Sequence, residues 1–240
     1  MIISYLHNYI FIKTKKTAGS SMEVALSIGA GPDDVVTPLG LNEELERFSI
    51  CEDALPRNFS SDRWSEQAFV TALKNQNKRE MRRFYEMMRR LNHFPVQRHS
   101  GATSAREVAG DTFWNGAYKF TIERHPYEKA VSLAWFERHR ISFEESLESV
   151  LSENRYRNFD LYVIDGKPVV DFIIRYEKLA DDVRRVEKAL GGLSILDRLP
   201  RSNSRQRKDR RPAAEVLTDR QKDIVYETCR DEFELMNYER

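Results

Sequence analysis

Residues 11–26 read FIKTKKTAGSSMEVAL, and the fold turns on how that stretch is parsed. The run YIFIKT over residues 9–14 reads as a buried strand, and the pattern from Ser20 to Ile28 as a helix that Ser20 or Ser21 is able to cap. Between the two the chain places Lys15 and Lys16 ahead of Thr17, Ala18 and Gly19. A turn of small residues lets backbone approach a ligand closely. The helix behind it aims unpaired amides and the positive end of its dipole at the same point. Something anionic is expected there.

The same unit recurs in AYKFTIERHPYEKAVSLAWFERH, residues 117–139. Ala117 to Glu123 reads as a strand, Arg124-His125-Pro126 as a turn, and Pro126 takes the favoured first position of the next helix. Farther on, LYVIDGKPVVDFIIR, residues 161–175, reads as a hairpin turning at Asp165-Gly166 whose second arm feeds a helix from Tyr176 to Leu190. A last helix runs from about Thr218 to Leu235. Strands alternating with helices predict an α/β three-layer sandwich with a largely parallel sheet. Ligands of such sheets sit beyond the carboxyl ends of the strands, where both turns fall.

The remaining segments carry weaker signals. Residues 29–63 hold much of the glycine and proline, show little periodicity, and read as an excursion over one face. Residues 64–92 read as an amphipathic helix pair or one long helix, with Lys74, Lys78, Arg79, Arg82, Arg83, Arg89 and Arg90 coating its outside. A short helix capped by Thr103 or Ser104, the latter at capping-box distance from Glu107, is expected to end near Gly110. Residues 197–211 form a basic loop without apolar periodicity, while Trp135 and Phe136 read as core.

The chain of 240 residues suits one α/β domain, and its formal net charge of +1 excludes a polycation that wraps nucleic acid. Any basic function is local. Cys51 and Cys229 lie far apart and form no metal-ligand spacing or disulfide framework. The amino-terminal apolar run is interrupted by Ser4, His7 and Asn8 and has its lysines on the wrong side for a signal peptide. With no uninterrupted apolar window of about 18 residues, a cytoplasmic protein is expected. KTKKTAGSS is not a nucleotide P-loop of the form GxxxxGK[ST], because no glycine precedes Lys16. Nor does an apolar strand end in an aspartate placed to hold magnesium.

Together the two turns give the chain a resemblance to a known family, the sulfotransferases that use 3′-phosphoadenosine 5′-phosphosulfate (PAPS), nearest the heparan sulfate 2-O-type and bacterial carbohydrate enzymes. Lys15 to Ser21 is similar to their PKTGGTS or PKTAGTS motif, with Lys15 where proline commonly stands. Arg124 to Ser132 is similar to their RxPxxRxxS motif, with Lys129 where arginine is usual. RYEKLADD and FELMNYE add to the likeness, which is weakest over residues 29–98, an acceptor-side insertion by that comparison.

The resemblance implies a P-loop-like fold and transfer of a sulfuryl group from PAPS to a hydroxyl acceptor, a carbohydrate or glycoconjugate, without a metal. It implies that Lys16 and the amides of Thr17, Ala18, Gly19, Ser20 and Ser21 hold the 5′-phosphosulfate, and that Arg124 and Ser132 hold the 3′-phosphate. Lys16 would also stabilise charge on the departing oxygen. His99 is the implied base and His93 the second choice, with Glu23 and Glu107 as carboxylate alternatives. Arg207 and Lys208 resemble a segment that covers the 3′-phosphate, with Asp209 where the family has glycine. Two rivals remain: a non-catalytic module for anionic glycans or nucleic acid, and a magnesium-dependent nucleotide phosphotransferase.

Overall fold

The computed structural model describes residues 1–138, 141–200, 209 and 211–240. In chain order it contains β1 (Ile2–Ser4), β2 (Tyr9–Ile12), α1 (Gly19–Ser27), β3 (Val35–Val36), α2 (Leu41–Ile50), α3 (Arg63–Lys74) and α4 (Lys78–Arg90). Next come α5 (Ala102–Ala109), α6 (Asp111–Gly116), β4 (Tyr118–Glu123), α7 (Pro126–Glu137), α8 (Phe143–Ser152), β5 (Val163–Ile164), β6 (Lys167–Pro168) and β7 (Phe172–Arg175). The chain closes with α9 (Leu179–Ala189), α10 (Ala213–Val216), α11 (Asp219–Thr228) and α12 (Arg230–Met236).

Five strands form one mixed sheet in the order β3-β1-β2-β4-β7. β2, β4 and β7 run parallel, and β1 is antiparallel to both of its neighbours. Alternation along the strands divides the core. Tyr9, Phe11, Phe120, Ile122 and Ile174 meet Met22 and Leu26 of α1 and Val183 and Val186 of α9 on one face. Ile10, Ile12 and Ile173 meet Ala102 and Ala105 of α5 and Trp114 of α6 on the other. Each large apolar side chain so buried stabilises the fold by about 1.5–3 kcal/mol. The result is an α/β sheet with helices on both faces and β2 and β4 side by side at its centre.

A further cluster joins α7 and α8 to α11 and α12 through Tyr127, Val131, Leu147, Val150, Val225 and Phe233. The α3 and α4 pair makes its own small core around Phe59, Phe69, Met81, Met88 and Phe94. Asp62 caps α3, Asn77 caps α4, and Gln76 takes a left-handed φ of 53° in the turn between them. Among the described residues no helix is long and apolar enough to cross a membrane.

Several elements differ from the sequence reading. The strand expected over residues 9–14 ends at Ile12, because Lys13 and Thr14 already turn into polar contacts with α1 and β4. The excursion at residues 29–63 supplies β3 to the sheet and contains α2; a strand of only Val35 and Val36 is too short to show a period. Gly101, not Thr103 or Ser104, is the N-cap of α5, although the helix does stop before Gly110, whose φ is 78°. The hairpin turning at Asp165-Gly166 is a separate two-stranded ribbon, and β7 leaves it to join the main sheet. The last helix is two, because the chain breaks at Cys229 after the Thr218 capping box has set the start of α11.

Candidate anion-binding site

The loop from β2 to α1 is built around two left-handed residues. Lys16 has φ 61° and Ala18 φ 66°, while Thr17 between them does not have a positive φ. Each costs roughly 1–2 kcal/mol for a residue with a Cβ, and alternation of this kind turns successive N–H groups toward one side, as in anion-binding nests. Ala18 is the N-cap of α1 and has no side chain able to accept a hydrogen bond. Ser20 and Ser21, expected as caps, lie inside the first turn instead. The orphan amides at the start of α1 are therefore left without a side-chain cap.

Side chains fix the loop from below. Thr14 donates its hydroxyl to the Ile122 carbonyl of β4 and meets the Thr17 hydroxyl at 2.8 Å. Lys13 is buried, and its Nζ donates to Ser20 Oγ at 3.0 Å and to Glu23 Oε2 at 2.5 Å. Burial, above all, pulls its ammonium down to a pKa of about 7. Its aliphatic stem also explains Gly19, where an added Cβ would come within 2.8 Å of Lys13 Cγ. Lys16 points the other way: its Nζ rests over the Phe136 ring at 4.1 Å. Burial is the main cause that lowers its pKa to about 8, Glu43 and Glu137 oppose that shift, and Arg124 adds to it.

That last interaction joins the two turns. Ile12 is paired with Thr121 in parallel register, so the two loops leave neighbouring strands at the same end of the sheet. On the second loop His125 caps α7, accepting from the Tyr127 amide at 3.3 Å, and Pro126 holds the first helical position. The Arg124 guanidinium lies over Tyr176, 4.3 Å from the ring centre, and gives Nη2 to Glu128 at 3.0 Å. Its buried Nε has no hydrogen-bond partner among the described residues. Ser132 sits half-buried midway along α7 and makes no hydrogen bond to Arg124 among the described residues. Lys129, the motif's other cation, is fully buried between Glu123 at 2.7 Å and Glu232 at 2.5 Å, so it faces no ligand.

His99 comes to the first loop, its Nδ1 lying 3.3 Å from the Lys13 carbonyl. Burial first, then the charge of Lys13, depress its pKa to about 3. The other candidates for a base lie elsewhere or are committed. His93 belongs to the α3–α4 unit beside Asp62, at 3.6 Å. Glu23 is fully buried and bound to Lys13 and the Met1 amino group. Glu107 is exposed on α5. Phe136, read as core, is 43% exposed and carries Lys16, whereas Trp135 packs half-buried against Phe143. The basic residues of α3 and α4 are exposed, as expected. Arg207 and Lys208 lie outside the described residues.

Sequence reasoning missed Lys13, Phe136 and Glu43 at this site. Lys13 carried a signal, since a lysine at the end of an otherwise apolar strand has to find a buried partner. A pocket of about 380 Å³ opens at the other end of the sheet, between His7, Asn8, Tyr118, Lys119, Asp171 and Leu190. Among the described residues no group of three or more His, Cys, Asp or Glu side chains is arranged as metal ligands. No protein-family model, curated protein or solved structure gives a significant match to the chain.

Proposed function

We propose that this chain is a P-loop-like sulfotransferase that moves a sulfuryl group from PAPS to a hydroxyl of a carbohydrate or glycoconjugate. One observation carries the reading. Two turns suited to anions leave adjacent parallel strands at the same end, and Lys16 of one feels the charge of Arg124 of the other. A donor with phosphate at both the 5′ and 3′ positions needs such a pair.

The residues present suit that donor. The uncapped start of α1 and the left-handed Lys16 and Ala18 offer amides to the 5′ end. Arg124 keeps an Nε without a hydrogen-bond partner among the described residues for the 3′ end, with Ser132 farther along α7; Arg207 and Lys208 are assigned to the same phosphate by resemblance. In the reaction the acceptor oxygen bonds to sulfur as the bond from sulfur to the bridging oxygen breaks. Lys16 balances the charge left on that oxygen, and His99 receives the hydroxyl proton. As it stands, His99 is a weak base. Burial is the main cause, and an anionic ligand near Lys13 and Arg98 would offset only the smaller part that those two cations contribute.

A thermal-shift comparison tests the reading. At 100 times its dissociation constant, adenosine 3′,5′-bisphosphate should stabilise the protein by about 2.7 kcal/mol, and ATP with magnesium should not. The opposite pattern would favour the phosphotransferase.

A further inference from the structure

Behind the two turns runs a line of buried polar contacts that links Lys15 of the first motif to Lys129 of the second through two residues outside both, Asn158 and Glu232. Asn158 is fully buried. Its Oδ1 accepts from the Lys15 amide at 2.9 Å, and its Nδ2 donates to the Lys15 carbonyl at 3.0 Å. The amide group thus holds both backbone groups of Lys15 as a neighbouring strand would. Asn158 is itself held: its own N–H and that of Phe159 donate to Glu232 Oε1 at 2.5 and 2.8 Å. The other oxygen of Glu232 accepts from Lys129, and Lys129 reaches Glu123, the residue before Arg124.

We infer that Asn158 is a positioning residue for Lys16, and that the line Asn158–Glu232–Lys129–Glu123 fixes the spacing of the two turns. Resting on the sulfotransferase reading, this adds a determinant of how its donor is gripped. Backbone strain at Lys16 makes the clamp necessary. Lys16 is left-handed, a state that persists only where its surroundings over-determine it. With both polar groups of Lys15 pinned, the chain enters Lys16 from a fixed position and direction. Release of that clamp would let the loop relax, and the amides after Lys16 would lose their common aim.

The network is also costly to bury unless complete. Two carboxylates and one ammonium sit without solvent contact at Glu123, Glu232 and Lys129. Burying such charges is tolerated only with good geometry and further hydrogen bonds on the remaining lone pairs. Asn158 and Phe159 supply those bonds to Glu232, whereas Glu123 Oε1 has no hydrogen-bond partner among the described residues. Strand β4, helix α7, helix α12 and the Lys15 loop therefore hold one another in a single arrangement.

Asn158→Asp is the test, because it keeps the shape and one acceptor but removes the donor to the Lys15 carbonyl. Calorimetry would compare adenosine 3′,5′-bisphosphate, adenosine 5′-phosphate and adenosine 3′-phosphate on wild type and variant. The inference expects the two ligands with a 5′-phosphate to bind about tenfold more weakly to the variant, the loss associated with one hydrogen bond to a charged group, and adenosine 3′-phosphate to be unchanged. Equal losses for all three, or no loss in a folded variant, would overturn it. Wild-type protein that fails to bind the bisphosphate would instead overturn the sulfotransferase reading beneath it. Hydrogen exchange on wild-type protein covers a variant that does not fold: the Lys15 amide should be protected with or without nucleotide, and exchange at the rate of an exposed loop would refute the clamp.

Discussion

At the amino ends of β2 and β4, Lys119 lies beside an open pocket yet has no capacity to spare. Its Nζ donates to the carbonyls of Trp114 and Ala117 at 3.1 and 2.7 Å and sits 3.3 Å from Asp171. At the carboxyl ends of the same strands the cations are arranged otherwise. Lys16 rests on the face of Phe136, and Arg124 covers Tyr176 with its Nε lacking a hydrogen-bond partner among the described residues. An aromatic face orients a cation at a modest energy, about 0.5–2 kcal/mol, and leaves its N–H groups open to a stronger acceptor. Open volume marks one end of the sheet; unsatisfied donor capacity marks the other. The second property is what an anion selects.

The contrast is broken most severely at Lys16. Lys16→Ala should lower sulfate transfer by about 10²–10³, the range for loss of one transition-state donor, with far-ultraviolet circular dichroism unchanged, whereas Lys119→Ala should leave turnover intact. Equal effects would erase the distinction between the ends. Next, Arg124→Ala should weaken adenosine 3′,5′-bisphosphate by roughly 10–100-fold, as expected for a charged hydrogen bond of about 1.5–3 kcal/mol. Adenosine 5′-phosphate should weaken far less, because it lacks the 3′ charge.

A pH series sharpens the same point. Burial holds Lys16 near a pKa of 8, so the free protein loses that positive charge as pH rises through this value. Bisphosphate affinity should then fall by up to about tenfold per pH unit, and Lys16→Arg should remove the limb. A separate effect is on stability. His99 is depressed to about 3 in the fold, so between pH 6.5, its usual value, and pH 3 the unfolded chain binds a proton that the native chain does not. Stability is thereby lost as pH falls through that window. His99→Asn should flatten the acid side of a urea-denaturation series; an unchanged slope would mean that His99 is not buried as described.

Much of this arrangement was legible because its signals are local. Gly19, Pro126 and the apolar runs before each turn placed two strand–turn–helix units, and a parallel sheet followed from their order. Local signals also misplaced details. Ser20 and Ser21 look like caps but fall within α1, since the left-handed Ala18 starts the helix earlier. β1 was hidden because Ser4, His7 and Asn8, read as interruptions of an apolar run, are the end of a strand and its turn, with Asn8 left-handed at φ 54°.

The network behind the site was illegible for a different reason. Asn158 meets Lys15 across 143 positions, and Glu232 meets Asn158 across 74. Neither residue sits in a pattern that distinguishes it from a surface amide or carboxylate. Lys129 stands where the second motif usually has arginine, and only the convergence of Glu123 and Glu232 on it shows an internal charge. Residue type reveals what a side chain is able to do. The fold decides whether it has been used already.

The most direct measurement is a crystal structure with adenosine 3′,5′-bisphosphate bound. One nucleotide should span both carboxyl-end turns, its 5′-phosphate at the start of α1 beside Lys16 and its 3′-phosphate on Arg124. A nucleotide seated between His7 and Asp171 at the opposite end, or touching only one of the two turns, would contradict it.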